Sequence, residues 1–169
     1  LRGQPASDDL QNTLSRPLAF DVHVAVIGVA SETQPARFKL AVQFIEVLET
    51  IAARLSVRVA VLTAAGDRAF SVGGDLYQRK EMTKEQWLRQ RQVFDRLVYT
   101  VRQLRRPIIA APHGMVYGGG CELAISCDFI IAADDAVFGQ PEAMVGLSAG
   151  AGSPVFLPRL LPPGRAMQM

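Results

Sequence analysis

The 169-residue chain predicts an α/β fold, a parallel sheet core flanked by helices. Three observations carry that reading. Apolar β-branched runs alternate with segments of helical period, a capping box and prolines mark helix ends, and the glycine clusters follow strands. With 49% hydrophobic residues the chain can bury one sizeable core, and its length suits one domain of the usual ~100 to 150 residues. Residues 1–19 read as an irregular N-terminal segment and 20–169 as the α/β core.

In order, "FDVHVAVIGVA" (20–30) alternates into a β-branched run and reads as a strand. "SETQ" followed by Pro35 marks a helix start, where the missing proline N–H does no harm. Phe38, Ala41, Val42, Ile45, Leu48, Ala52 and Leu55 then recur at helical spacing, so this helix should pack one face on a sheet. "VRVAVLTAAG" (57–66) is a second buried strand, and "AFSVGGDL" (69–76) carries a glycine pair. Thr83 and Gln86 form a T-x-x-Q capping box ahead of an apolar stripe of Trp87, Phe94, Leu97, Val101 and Leu104. Arg102, Arg105 and Arg106 suit the negative end of that helix, and Pro107 stops it. "PIIAAPHGMV" reads as one strand, "CELAISC" as a helix and "FIIAADDAVFG" as another strand. Such alternation implies parallel pairing with right-handed crossovers.

Charge narrows the function classes. The 18 basic and 16 acidic side chains are spread along the chain, for a net charge of +2, so nothing points to nucleic acid, although a small anionic ligand suits the balance. Apolar runs such as "VAVIGVA" fall short of the ~20 residues a bilayer requires, and no signal-peptide pattern opens the chain. A soluble protein is expected. Cys121 and Cys127 are the only cysteines, and six positions apart on a helix they diverge by about 240°, too far to bridge or to pair on a metal. Free thiols suit a reducing compartment such as the cytoplasm. The chain begins with Leu1 and stops at "GRAMQM", the opening of a helix, and so reads as a piece of something longer.

"VYGGGCEL" (116–123) places three glycines and an acid inside an apolar run. Glycine inside a helix or strand costs about 0.5 to 1 kcal/mol relative to alanine, so backbone conformation or a close approach must require them. Gly118 to Gly120 open a helix whose first N–H groups lack partners, a place for developing negative charge. If the pair Gly73 and Gly74 contributes a second N–H, the two form an oxyanion hole, each donor worth roughly 3 to 4 kcal/mol in the transition state. Alternatively, the glycines only let strand and helix pack closely. Glu122 follows the triplet, and Glu142 follows Pro141, whose fixed φ restrains the turn. Two converging carboxyls push their pKa values apart, which suits adding water across a double bond. The alternatives are a capping acid at Glu122 and a solvated loop acid at Glu142.

"VRVAVLTAAGDRAFSVGGDL" together with "RRPIIAAPHGMVYGGGCELAISCDFIIAADDAVFGQPEAMVGLSAGAG" closely resembles the crotonase (enoyl-CoA hydratase/isomerase) superfamily over residues 57–152. The resemblance implies a spiral of βαβ and ββα turns, with a C-terminal helical region following the present chain. It places the thioester carbonyl between the N–H groups of Gly74 and Gly119. It makes Glu122 the residue that positions and deprotonates water, with Glu142 handling the α-carbon proton, the two roles being coupled. It further implies a coenzyme A site along Gly74, Asp75, Leu76 and Tyr77, no prosthetic group, no metal, and a homotrimer or dimer of trimers. Hydration of a 2-enoyl-CoA is the expected reaction. Double-bond isomerisation and a silent binding subunit are the alternatives. Two segments depart from the pattern. "ASETQPARFKL" replaces the usual asparagine-alanine segment, leaving Arg37 or Lys39 to substitute in coenzyme contacts. Ala149, Ser153 and "PVF" stand where relatives commonly carry a proline, a glycine and a T-Q-R run.

"GLSAG" (146–150) also matches the G-x-S-x-G nucleophile elbow. That motif needs a strand before Ser148 and a helix after it, where Pro154 interrupts, and a histidine downstream, whereas His23 and His113 both lie upstream. His113 reads as a turn residue, and Asp75 and Asp128 as acids that fix local backbone.

Overall fold

The structure, a computed structural model, describes residues 14–17, 23–30 and 38–169. The Pro35 helix start and Arg37 lie outside the described residues, as do the side chains of His23 and Lys39.

Nine residues of alternating and β-branched character build the central strand, here β3 (Val57–Ala65). It pairs in parallel on both flanks, with β2 (His23–Ala30) on one side and β5 (Ile108–Ala110) on the other. A four-residue strand, β1 (Leu14–Pro17), pairs antiparallel with β2. It lies inside the stretch read as irregular, because its own sequence lacks a strand pattern and the strand is identified by the register it takes on β2.

The first helix, α1 (Phe38–Ala53), buries Ala41, Phe44, Ile45, Leu48 and Ile51. Its apolar face is thus rotated from the expected one, since Leu55 lies past the helix end and is 85% exposed, and Ala52 is exposed. Asp75 caps α2 (Leu76–Lys80), its Oδ1 accepting from Gln78 N at 3.0 Å. The expected capping box opens α3 (Lys84–Gln103): Gln86 N donates to Thr83 Oγ1 and Thr83 N to Gln86 Oε1. Leu97 and Val101 bury the C-terminal half of its stripe, whereas Trp87 is 42% exposed.

The two expected long strands are each divided in two. "PIIAAPHGMV" supplies β5 and then β6 (Met115–Tyr117), and "FIIAADDAVFG" supplies β7 (Phe129–Ile130) and β8 (Val137–Gly139). Pro112, which has no N–H to give a ladder, lies in the first break, and a turn at Asp134 and Asp135 makes the second. Each division moves the chain from one sheet to another. The larger sheet has the order β1-β2-β3-β5-β7, and the smaller joins β4 (Ala69–Ser71), β6 and β8, all parallel. Apolarity alone does not reveal such a crossing, because strands of both sheets contribute to the same core, with Leu62 and Ile108 from one and Phe70 and Val116 from the other, while β7 is apolar although exposed.

Between β6 and β7 runs α4 (Gly119–Ile125), almost wholly buried. After β8 come a 3-10 helix (Pro141–Val145), α5 (Ser153–Leu160) and α6 (Pro163–Ala166). Pro154 sits in the first turn of α5 and does not interrupt it, correcting the expectation there. None of the described helices is long and apolar enough to cross a membrane.

Candidate active site

The three parallel strands of the small sheet end along one edge, and the residues singled out in the sequence follow those ends. Gly73 and Gly74 follow β4, Gly118 to Gly120 follow β6, and Pro141 and Glu142 follow β8. Gly73 and Gly118 have φ of 84° and 54°, a region that side-chain-bearing residues rarely adopt. The two turns abut, since a Cβ built on Gly73 would stand 2.8 Å from Gly119 N. A Cβ on Gly120 would meet Ser71 O at 2.2 Å, so this glycine lets α4 pack on the end of β4. The close-packing reading of the glycines therefore applies at Gly120, and the positive φ of Gly73 and Gly118 sets the shape of the two turns.

Glu122, in the first turn of α4, is 4% exposed. Its Oε1 accepts from Ala151 N at 2.6 Å and from Ser153 N at 3.2 Å. These donors belong to the segment leading into α5, so the residue does not act as a capping acid for its own helix. Burial pushes its pKa above the ordinary glutamate value, and the Glu142 charge adds to the rise. The Ser153 and Ala151 N–H groups and the Arg91 charge oppose it. Glu142 is half-buried, and its Oε1 lies 2.9 Å from where a Gly118 Cβ would stand. Gln140 donates from its amide nitrogen to both Glu142 oxygens, at 2.9 and 3.2 Å, and accepts from the Ser153 hydroxyl. Ser153 thus holds Glu122 through its main chain and Glu142 through Gln140.

The glycine turns and both acids line one open cleft of 640 Å³, walled by apolar side chains that include Phe44, Phe94 and Leu97. Leu76 joins the lining, Asp75 serves as the α2 cap, and Tyr77, 88% exposed, lies outside it. Arg79, Gln90 and Arg91 also face the cleft, and sequence reasoning missed them. The signal was present for Gln90, which occupies a stripe position between Trp87 and Phe94 and is 4% exposed. Among the described residues, no three His, Cys, Asp or Glu side chains are grouped as a metal site requires. Burial raises the Cys121 thiol to about 11 and Cys127 to about 12, so neither is poised as a nucleophile.

Ser148 lies in an exposed loop after the 3-10 helix, five residues before α5, so no strand-serine-helix elbow forms. His113 sits between β5 and β6, its carbonyl accepting from Phe70 N at 2.9 Å, and it does not line the cleft. Asp128 Oδ2 accepts from Ile108 N at 2.9 Å, fixing backbone as expected.

Because Glu122 holds its proton more tightly in the folded chain, stability falls as pH rises from the ordinary 4.5 towards the raised value, and that loss persists above it. Glu122→Gln keeps an oxygen acceptor for Ala151 and Ser153 and removes the titration. Its melting temperature is expected to exceed the wild type at about pH 8, with the gap closing towards about pH 4. Thermal unfolding across that range checks this.

The enoyl-CoA hydratase/isomerase family matches residues 36–169, and the chain belongs to that family. The crotonyl-CoA hydratase of Syntrophomonas wolfei is 37% identical over 114 residues, 68% of this chain and 44% of that protein. The carnitinyl-CoA dehydratase of Escherichia coli K12 is 39% identical over 113 residues, 67% of this chain and 43% of that protein. Among solved structures, an enoyl-CoA hydratase from Bacillus anthracis superposes with a TM-score of 0.83 at 36% identity, covering 92% of this chain and 61% of that one. The fold is therefore that of the crotonases. The chain spans less than half the length of those two curated relatives.

Proposed function

We propose that the protein hydrates the 2,3 double bond of an enoyl-CoA thioester. The observation that carries this reading is the convergence of two glycine turns and two glutamates on one cleft at the ends of three parallel strands. The N–H groups of Gly74 and Gly119 polarise the thioester carbonyl and stabilise the enolate. Glu122 takes a proton from water, and its raised pKa makes the carboxylate a stronger base. Glu142, held by Gln140, delivers the proton to the α-carbon. The two acids divide these jobs as a coupled pair. Coenzyme A runs along Gly74, Asp75, Leu76 and Tyr77, and is part of the substrate; no prosthetic group takes part. Assembly as a homotrimer or dimer of trimers and a cytoplasmic location, suited to the free Cys121 and Cys127 thiols, complete the reading.

Crotonyl-CoA tests it. Hydration bleaches the enoyl-thioester absorbance, whereas isomerisation would create that absorbance from a 3-enoyl-CoA. Bleaching is the expected result, and unchanged crotonyl-CoA beside turnover of a 3-enoyl-CoA would overturn hydration in favour of isomerisation.

A further inference from the structure

The cleft holds a cation that hydration does not use. Arg79, on α2, is half-buried and lines the cleft beside the first glycine turn. Its guanidinium lies against Gly74, where an added Cβ would meet Nη2 at 2.6 Å. Its Nε donates to Gln90 Oε1 at 3.4 Å, and Gln90 Nε2 donates in turn to Gln78 Oε1 at 3.4 Å. The buried partner of this guanidinium is thus a neutral amide. Among the described residues no carboxylate lies within ion-pair distance of Arg79, whereas Arg91 is paired with Asp95 at 2.8 Å and donates to Gly150 O. Lys80 is exposed on the same helix. Burying Gln90 on a stripe that also carries Trp87 and Phe94 places a polar group where an apolar one would suit a plain hydrocarbon chain.

From this arrangement we infer that the acyl group of the substrate carries a carboxylate, and that Arg79, steadied by Gln90, reads it. The inference rests on the thioester reading above and names its substrate class. A guanidinium offers a carboxylate two parallel N–H donors, so an acid-bearing acyl chain gains a charge-assisted pair that its methyl-ended counterpart lacks. An apolar wall of Phe44, Phe94 and Leu97 then covers the methylenes.

Saturated thioesters isolate recognition from turnover. Calorimetry with succinyl-CoA and glutaryl-CoA, each beside its neutral counterpart butyryl-CoA or valeryl-CoA, is expected to show about tenfold or greater preference for the acid. Arg79→Met should bring that ratio to about one, and Arg79→Lys should retain part of it. Equal affinities in the wild type, or a preference that survives Arg79→Met, would overturn the inference while leaving the hydratase reading intact. Free coenzyme A supplies the other source of anions. If Arg79→Met weakens its binding as much as that of succinyl-CoA, the guanidinium reads a phosphate and the inference fails. Should no acyl-CoA bind at all, the thioester reading falls first and takes this one with it.

Discussion

Glu122→Gln and Glu142→Gln are each expected to slow hydration of crotonyl-CoA by about 10²- to 10⁴-fold, the range for losing a positioned acid or base. Glutamine keeps the shape and the oxygen acceptor of each side chain, so the Ala151 and Ser153 donors to Glu122 stay satisfied. What disappears is the ability to take or deliver a proton. On the proposed mechanism the two carboxyls act on one water and one carbon, so the double variant should lose little more than the worse single variant. Initial rates of absorbance loss measure all four proteins. Rates within a few-fold of wild type in both single variants would contradict the two-acid mechanism.

The largest expected effect on stability comes from Gly120→Ala. On helix propensity alone, alanine would gain about 0.5 to 1 kcal/mol. The contact decides otherwise, because the new Cβ would fall 2.2 Å from Ser71 O and 2.6 Å from Ser71 Cβ. Ser71 ends a strand whose Phe70 is fully buried, and Val116 next to it is fully buried too, so the backbone has little room to retreat. Overpacking of this kind costs about 1 to 3 kcal/mol, and with backbone meeting backbone the upper end is expected. The net loss, roughly 2 kcal/mol, corresponds to a melting temperature lower by about 4 to 8 °C in a chain of this size. Gly164→Ala, at a position with nothing within 4 Å, is the control and should be close to neutral. Equal melting temperatures for the two variants would contradict the packing role of Gly120.

Local chemistry made much of this fold legible. Thr83 and Gln86 announce a helix start through hydrogen bonds that need nothing beyond four residues, and Gly73 and Gly118 announce backbone conformations that few other residues adopt. Glu122 stood out because an acid in an apolar run demands a reason. What stayed hidden depends on partners distant in sequence. The division of 107–116 and of 129–139 between two sheets is set by which strand each half pairs with, and both halves are apolar either way. The small sheet is what gathers the three site segments, so the geometry of the site was less legible than its residues. Leu55 shows the opposite error: its helical spacing from Leu48 and Ala52 looked sound, but the helix ends at Ala53. Arg79 and Gln90 escaped notice because charged and amide residues on a helix ordinarily face solvent, and only the cleft gives them significance.

One complex examines the central claim at atomic level: a crystal structure of the protein with acetoacetyl-CoA bound. The expected result is a thioester oxygen about 2.7 to 3.1 Å from both Gly74 N and Gly119 N, with the Glu122 and Glu142 carboxyls facing the α- and β-carbons. A thioester oxygen directed away from either amide, or an acyl chain seated beyond reach of both acids, would contradict it.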